Sequence, residues 1–129
     1  FPEIIQGSVI RKATRVRTAL PVSISAEPPG ADAIPGTILN ISASGLQLRT
    51  RATLGERDTP VRLQFELALH GVDTPLALDA SIRNVREEVD EEGFHYQYGV
   101  DFHELQPKDH MLVKAFVYQT MIEHPRQLI

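Results

Sequence analysis

Apolar residues recur at every second position along most of this chain, and a period of two is the spacing of side chains on one face of a β-strand. The clearest set is Val61, Leu63, Phe65, Leu67 and Leu69. Two later sets follow the same rule, and they are Leu76, Leu78, Ala80 and Ile82, and Phe94, Tyr96, Tyr98, Val100 and Phe102. Val85 falls on the opposite parity, which indicates a bulge near Arg83–Asn84. Earlier strands are predicted at 22–26 and in the segments GTILNIS and GLQLRTR, which makes about six.

Turn-forming residues separate these strands at short intervals. The separating segments are EPPGAD, SASG, LGERDTP, HGVDTP and EVDEEG, and each supplies Gly, Pro, Asp or Ser where a strand should end. Short strands that are joined by short turns favour an antiparallel barrel or sandwich. We therefore predict a mainly β fold over residues 21–105, preceded by an extended N-terminal segment over residues 1–20.

After residue 105 the sequence changes from a period of two to helical spacing, which predicts a helix over 106–124. Pro107 suits the first helical turn because no N–H is needed there, and Asp109 is favoured near the positive end of the helix dipole. The apolar stripe of this helix is Met111, Ala115, Tyr118 and Ile122. We expect that stripe to pack on the strands.

Composition limits the class of protein. The chain has 129 residues, of which 42% are hydrophobic and 23% are charged, as in ordinary globular domains. It contains no cysteine, which excludes a disulfide framework and suits a reducing compartment. No apolar run reaches the roughly 20 residues that span a bilayer, so we expect a cytoplasmic domain without membrane insertion. Because the first residue is Phe1 rather than methionine, a preceding domain is an open alternative.

Catalytic motifs find no support in the sequence. The five histidines are His70, His95, His103, His110 and His124. They do not form an HExxH pattern or a comparable metal-ligand spacing, and no nucleophile-elbow or phosphate-loop pattern occurs. We therefore predict a binding domain without enzymatic activity, metal or cofactor.

Two polar stretches stand out from the strand pattern. Four cationic residues occur within positions 11 to 17 of a chain with a net charge of −4, and they are Arg11, Lys12, Arg15 and Arg17. In NISASG at 40–45, alternation places Asn40 and Ser42 on one face of a strand. Leu39 and Ile41 then point into the core. Gly45 follows, where a positive φ or a closely approaching ligand would favour glycine. Taken separately, the two stretches are best explained as a solvated tail and a turn.

Taken together, the two stretches resemble the RxxxR and [DN]xSxxG signatures of the PilZ domain, a bacterial receptor module for cyclic di-GMP. Arg11 and Arg15 match the first signature, and the second is matched by Asn40, Ser42 and Gly45. The segment YQYGVDF is similar to the last barrel strand of that family, and FPEIIQ is similar to the linker of flagellar-brake-type members. The resemblance covers nearly the whole chain and implies a six-stranded antiparallel β-barrel with a C-terminal α-helix.

The resemblance also implies a ligand and a role for each matched residue. Arg11 and Arg15 would contact the guanines and phosphates of cyclic di-GMP, since a guanidinium can hold guanine O6 and N7 together. Asn40 and Ser42 would hydrogen-bond a guanine edge, and Gly45 would leave room for that base. A ligand with two phosphates would explain a local basic segment on an acidic chain.

Three positions depart from the common family pattern. Ser44 stands where many members have a second glycine, and Asn40 replaces an acidic residue, so it offers one acceptor oxygen instead of two. Ile10 stands where some members have a further arginine, and one or two bound dinucleotides are both compatible with the sequence. Lys12 and Arg17 lie outside the signature, and for them an auxiliary phosphate contact and simple solvation are both open.

The predicted function is a cyclic di-GMP receptor whose arginine-bearing segment wraps onto the ligand and changes a partner contact. The expected partner is another protein or an attached domain, such as a flagellar motor component or a polysaccharide synthase, rather than DNA. Two alternatives stay open, a PilZ-like interaction module that binds no nucleotide and a small single-stranded nucleic-acid-binding barrel. The aromatic content of 6% and the negative net charge count against the second.

Overall fold

The computed structural model describes residues 14–26 and 33–129, and in this part of the chain six strands form a closed antiparallel barrel. In chain order the strands are β1 (Arg15–Ala26), β2 (Ile34–Ser42), β3 (Gly45–Thr50), β4 (Pro60–Leu69), β5 (Val72–Asp90) and β6 (Gly93–Phe102). Around the barrel the order is β1-β2-β3-β6-β5-β4, and β1 closes the ring by pairing with β4. The predicted six-stranded antiparallel barrel is confirmed.

Apolar side chains fill the barrel, and β4 shows most clearly how the sequence directs them there. Its odd-numbered residues from 61 to 69 are buried, and the residues between them are exposed. The register of β4 with β5 pairs Leu63 with Leu78 and Phe65 with Leu76. Two of the predicted apolar sets therefore face the same interior.

Tyr98 in β6 is buried in this core, and its hydroxyl oxygen accepts a hydrogen bond of 2.9 Å from the backbone N–H of Leu54. We expect Tyr98→Phe to lower the free energy of unfolding by about 1–3 kcal/mol, because the buried Leu54 N–H loses its acceptor where water does not reach. Urea denaturation measures the loss. Tyr96→Phe is the control, since Tyr96 is only half-buried, and an equal loss in both variants would contradict this account.

The first strand starts earlier than the sequence pattern indicates. β1 begins at Arg15, so residues 15–20, predicted as part of the extended N-terminal segment, pair with β2 instead. A register shift between Arg17 and Leu20 interrupts the regular alternation of this strand. A bulge of this kind hides a strand from a search for a period of two.

Alternation also fails at two positions that were expected to point inwards. Leu39 in β2 is only half-buried, because the pairing with β3 shifts after Ile38, and Ile41 takes the next core position. Phe94 in β6 is exposed, and its neighbour His95 is buried. Phe94 lies near the end of the β5–β6 hairpin, where most residues of β5 are exposed on both faces of the strand. This end of the hairpin extends beyond the barrel core, so alternation there does not predict which side chain is buried.

The predicted C-terminal helix is confirmed as α1 (Pro107–Glu123), but its expected docking face is wrong. The stripe of Met111, Ala115, Tyr118 and Ile122 is exposed. The buried residues are Val113, Phe116, Val117 and Thr120. Both sets have helical spacing, so the periodicity alone could not select the face that meets the barrel. In the described part of the chain, no helix is long and apolar enough to cross a membrane.

One side chain of α1 fixes the helix to the β4–β5 hairpin. The turn of this hairpin is His70–Gly71, and both residues have positive φ, 51° and 81°, as a two-residue type I′ turn requires. Gln119 accepts a hydrogen bond of 2.9 Å from the His70 backbone N–H and donates one of 2.9 Å to the carbonyl oxygen of Ala68. The helix is thus held in one rotational orientation on the barrel.

Candidate functional site

Arg15 and Asn40 are joined on the outer surface of the barrel, where β1 and β2 pair. Val16 is buried in the core, so its neighbour Arg15 points outwards. The Arg15 guanidinium donates a hydrogen bond of 2.5 Å to Asn40 Oδ1, and Asn40 Nδ2 donates one of 2.8 Å to Gln47 Oε1. Asn40 is only 9% exposed, so its amide is held in place by these two bonds. The network therefore fixes the direction of the Arg15 guanidinium plane.

A cleft of about 280 Å³ opens beside this network. Polar and charged side chains reach it from β1–β3 on one side and from β5–β6 on the other, and they are Arg15, Asn40, Gln47, Arg83, Asn84 and Asp101. With two guanidinium groups and one carboxylate, these side chains have a net positive charge. A site of this kind attracts an anionic ligand even though the whole chain is acidic.

The β5–β6 side of the cleft is shaped by the bulge that was predicted near Arg83–Asn84. This bulge is confirmed by a register shift immediately before Asn84, which lies opposite Gly99. A Cβ on Gly99 would lie 2.8 Å from Asn84 Oδ1, so the glycine leaves space for the amide group of Asn84. Bulges commonly redirect side chains near functional sites. The change of parity before Val85 was the sequence signal for this side of the cleft, although it did not identify these residues as site candidates.

Arg83 and Asp101 form an ion pair on the same side, with 3.2 Å between Arg83 Nη1 and Asp101 Oδ1. Both side chains are more than half exposed. Exposed pairs of this kind contribute little to folding, so either partner is available to a ligand at small cost.

Ser42 keeps the strand face that alternation predicted, since it pairs with the outward-facing Arg15 as Asn40 pairs with Arg17, but it is not exposed on that face. Its side chain is fully buried beneath the turn that joins β2 to β3. The hydroxyl oxygen accepts a hydrogen bond of 3.2 Å from the Ser44 backbone N–H, and the hydroxyl donates one of 3.3 Å to the carbonyl oxygen of Gly45. In this structure the Ser42 hydroxyl is engaged in holding a tight turn.

We expect Ser42→Ala to lower the free energy of unfolding by about 1–2 kcal/mol, because the Ser44 N–H and the buried Gly45 carbonyl both lose the hydroxyl as a hydrogen-bond partner. Urea denaturation measures this loss, and Ser23→Ala is the control because Ser23 is an exposed serine on β1. Affinity for cyclic di-GMP should change little in the folded variant. Unchanged stability together with lost affinity would show instead that Ser42 contacts the ligand directly.

Gly45 is required by strand packing. Its φ lies outside the left-handed region, contrary to one expectation from the sequence. A Cβ at this position would overlap the carbonyl oxygen of Val100 and would lie 3.2 Å from the Cα of Asp101. Gly45 pairs with Asp101 across β3 and β6, so only glycine lets the two backbones approach this closely.

Of the remaining cationic candidates, only Arg17 is among the residues that the structure describes. Arg11 and Lys12 lie outside the described residues. Arg17 is exposed, and its Nη1 donates a hydrogen bond of 3.4 Å to the carbonyl oxygen of Arg126. Arg17, two residues after Arg15, thus contacts the segment that follows α1.

The segment after α1 also reaches the cleft, which no sequence pattern indicated. Leu128 forms a single antiparallel bridge with Val16. The backbone N–H of Ile129 donates a hydrogen bond of 3.0 Å to the carbonyl oxygen of Arg15, and Ile129 lines the cleft. A pairing of two residues is too short to produce a detectable period.

Comparisons with known proteins identify the family. The model of the PilZ domain matches residues 10–119. The Bacillus subtilis inhibitor of motility, MotI/DgrA, is similar with a TM-score of 0.72 and 19% identity, over 88% of this chain and 52% of that one. The K. pneumonia MrkH–c-di-GMP complex has a TM-score of 0.70 and 17% identity, over 90% and 54% of the two chains. The PilZ domain of Escherichia coli YcgR with c-di-GMP has a TM-score of 0.66 and 12% identity, over 90% and 95%.

The chain therefore spans about half the length of MotI and MrkH and nearly all of the YcgR domain. No curated protein sequence matches it significantly. Similarity to solved structures at these identities establishes the fold, and the family model adds a match over most of the sequence. On these grounds, the chain belongs to the PilZ domain family.

Proposed function

We propose that this domain is a receptor for cyclic di-GMP and that the ligand binds in the cleft between Arg15 and Asp101. The observation that carries the proposal is the network of Arg15, Asn40 and Gln47, which presents a guanidinium and two amides along one side of the cleft. Two structurally similar proteins, MrkH and the PilZ domain of YcgR, have been solved with c-di-GMP. Membership of the same family supports the same ligand class here.

The polar groups of the cleft are suited to guanine. Guanine presents the acceptors O6 and N7 on one edge and an amino donor on another. The planar guanidinium of Arg15 matches the two acceptors, and its bond to Asn40 sets the plane in advance. The Asp101 carboxylate, on the other side of the cleft, is an acceptor for the amino group. The two sides together distinguish guanine from adenine.

The phosphates are the second part of the ligand. Arg15 and Arg83 give the described cleft its positive charge, and Arg11 of the RxxxR signature is proposed to add a further cation. Lys12 and Arg17 are proposed as auxiliary contacts. Contacts of arginine with phosphate are charge-assisted and short, which makes them stronger than hydrogen bonds between neutral groups.

Signalling follows from the position of the signature in the chain. Arg11 precedes β1 and Arg15 begins it, so a ligand that binds both connects the preceding segment to the barrel. Ordering a segment through charge-assisted contacts is a common switching mechanism. The domain is proposed to act without catalysis in the bacterial cytoplasm, through an attached domain or a partner protein. Motility and exopolysaccharide production are the proposed processes, and MotI, one of the similar proteins, is an inhibitor of motility.

Isothermal titration calorimetry with cyclic di-GMP tests the proposal, with cyclic di-AMP as the matched control ligand. The control has the same backbone and charge but carries an amino donor where guanine has O6. We expect cyclic di-AMP to bind about 100-fold more weakly, because two bases are mismatched.

Two results would contradict the proposal. Absence of binding heat with cyclic di-GMP would favour an interaction module that binds no nucleotide. Equal affinity for both ligands would show that only the phosphates are recognised, and a single-stranded oligonucleotide in the same assay would then test the nucleic-acid-binding alternative.

A further inference from the structure

The exposed face of α1 carries an apolar stripe that neither the core nor the proposed ligand uses. We define the seam as Met111, Ala115, Tyr118 and Ile122. Met111, Tyr118 and Ile122 are 70%, 52% and 78% exposed, and Ala115 is also exposed. Large exposed side chains that line up on one element mark an interaction surface more often than scattered ones do.

The spacing of the seam identifies the kind of partner that fits it. Successive seam residues are four, three and four positions apart, which is the alternation of d and a positions in a heptad. This narrow stripe is the pattern by which one helix packs its side chains between those of another helix. A flat sheet or an extended peptide would not require this spacing.

We propose that α1 is a self-association helix and that two copies of this chain pack antiparallel through the seam. In the antiparallel arrangement Met111 lies opposite Ile122 of the second copy, and Ala115 lies opposite Tyr118. A large side chain thus meets a small one in the central layers, as well-packed helix pairs require. A parallel arrangement would place Tyr118 against Tyr118 and Ala115 against Ala115, which leaves one layer crowded and the next one empty.

Charges beside the seam favour the same arrangement. Antiparallel pairing places His110 near Glu123 of the second copy and Asp109 near His124. The helix contains Lys108, Lys114, Asp109 and Glu123, so its formal charge is zero although the whole chain carries −4. The two faces therefore meet without net repulsion, and antiparallel helix dipoles attract each other.

The helix is already fixed in the orientation that the dimer needs. Val113, Phe116 and Val117 anchor its opposite face in the core, and Gln119 is bonded to the β4–β5 turn. Association therefore orders little backbone, which limits its entropic cost. A helix of 17 residues is about 25 Å long, so one helix pair buries less than the roughly 800 Å² per partner of a standard interface. We expect a reversible dimer with a dissociation constant on the order of 10–100 μM.

Sedimentation velocity between about 1 μM and 1 mM protein, a range set by that expected constant, tests the proposal. We expect Ile122→Glu to raise the dissociation constant at least about tenfold, because a charge replaces the apolar side chain that the dimer buries. Met111→Glu should act in the same way. The matched control is Val89→Glu, which changes a 76%-exposed valine on β5 and should leave the constant within about twofold. A protein that stays monomeric throughout, or equal effects of the seam variants and the control, would overturn the proposal.

Disulfide cross-linking tests the antiparallel arrangement directly, since the chain contains no cysteine of its own. Met111→Cys and Ile122→Cys variants are mixed and oxidised. A disulfide needs Cα atoms about 4.4–6.8 Å apart, so the mixed disulfide should form faster than either homodimer. Faster formation of the two homodimers would show parallel helices and would overturn the proposal.

Discussion

Arg15→Ala is expected to weaken cyclic di-GMP binding by about 10- to 150-fold. The guanidinium supplies a charge-assisted contact to guanine or phosphate, and such a contact contributes about 1.5–3 kcal/mol. The variant also leaves Asn40 without the donor that holds its amide oxygen. Isothermal titration calorimetry near 150 mM salt measures the loss under conditions where long-range charge effects are screened.

The control for this experiment is Arg62→Ala. Arg62 lies on β4, away from the cleft, and its exposed side chain forms a 2.8 Å ion pair with Asp79. The substitution removes the same charge as Arg15→Ala, so it corrects for the general electrostatic attraction of an anionic ligand. Equal losses in both variants would mean that Arg15 contributes charge alone and does not contact the ligand.

Gly45→Ala is expected to lower the free energy of unfolding by about 2–3 kcal/mol. The added Cβ would overlap the Val100 carbonyl oxygen, which is part of the neighbouring β6 backbone and cannot rotate away. Relief requires β3 and β6 to separate at their pairing of Gly45 with Asp101. Urea denaturation measures the loss, and circular dichroism at low denaturant confirms that the variant is still folded.

Gly99→Ala is the comparison, because its Cβ would meet the exposed side chain of Asn84 rather than a backbone. A side chain can rotate away, so we expect a stability loss below about 1 kcal/mol. The same movement would shift Asn84 in the cleft and weaken cyclic di-GMP binding. We therefore expect Gly45→Ala to lose mainly folding stability and Gly99→Ala to lose mainly ligand affinity. A stable Gly45→Ala protein that fails to bind ligand would instead make Gly45 a ligand-contacting position.

Much of the fold was predictable because a barrel strand has one buried face and one exposed face. The alternation of β4 and of the first half of β5 shows this, and the change of parity near Arg83–Asn84 even located the bulge beside the cleft. The limits of α1 were equally readable, since Pro107 begins it and the apolar spacing continues to its end. These features depend on residues that are near one another in sequence.

The candidate site was readable only in part. Arg15 and Asn40 were found through the spacing of two signatures, and the structure brings their side chains into contact. Ser42 shared the parity of Asn40, yet its hydroxyl is buried in the turn. The residues on the β5–β6 side carried no signature, and Asp101 reaches the cleft because β6 pairs with β3.

Local periodicity in the chain predicted about six strands and one helix, and the spacing of charged and polar residues identified the two stretches that carry the family signature. Contacts between segments distant in sequence decided which face of α1 meets the barrel. They also decided which signature side chains line the cleft and which other strands contribute residues to the cleft. The physical reason is that side chains alternate between the two faces of a strand only where the pairing register is regular. A shift of one residue, as at β2–β3 and β5–β6, exchanges the faces, and the two apolar sides of α1 differ only in what the barrel presents to them.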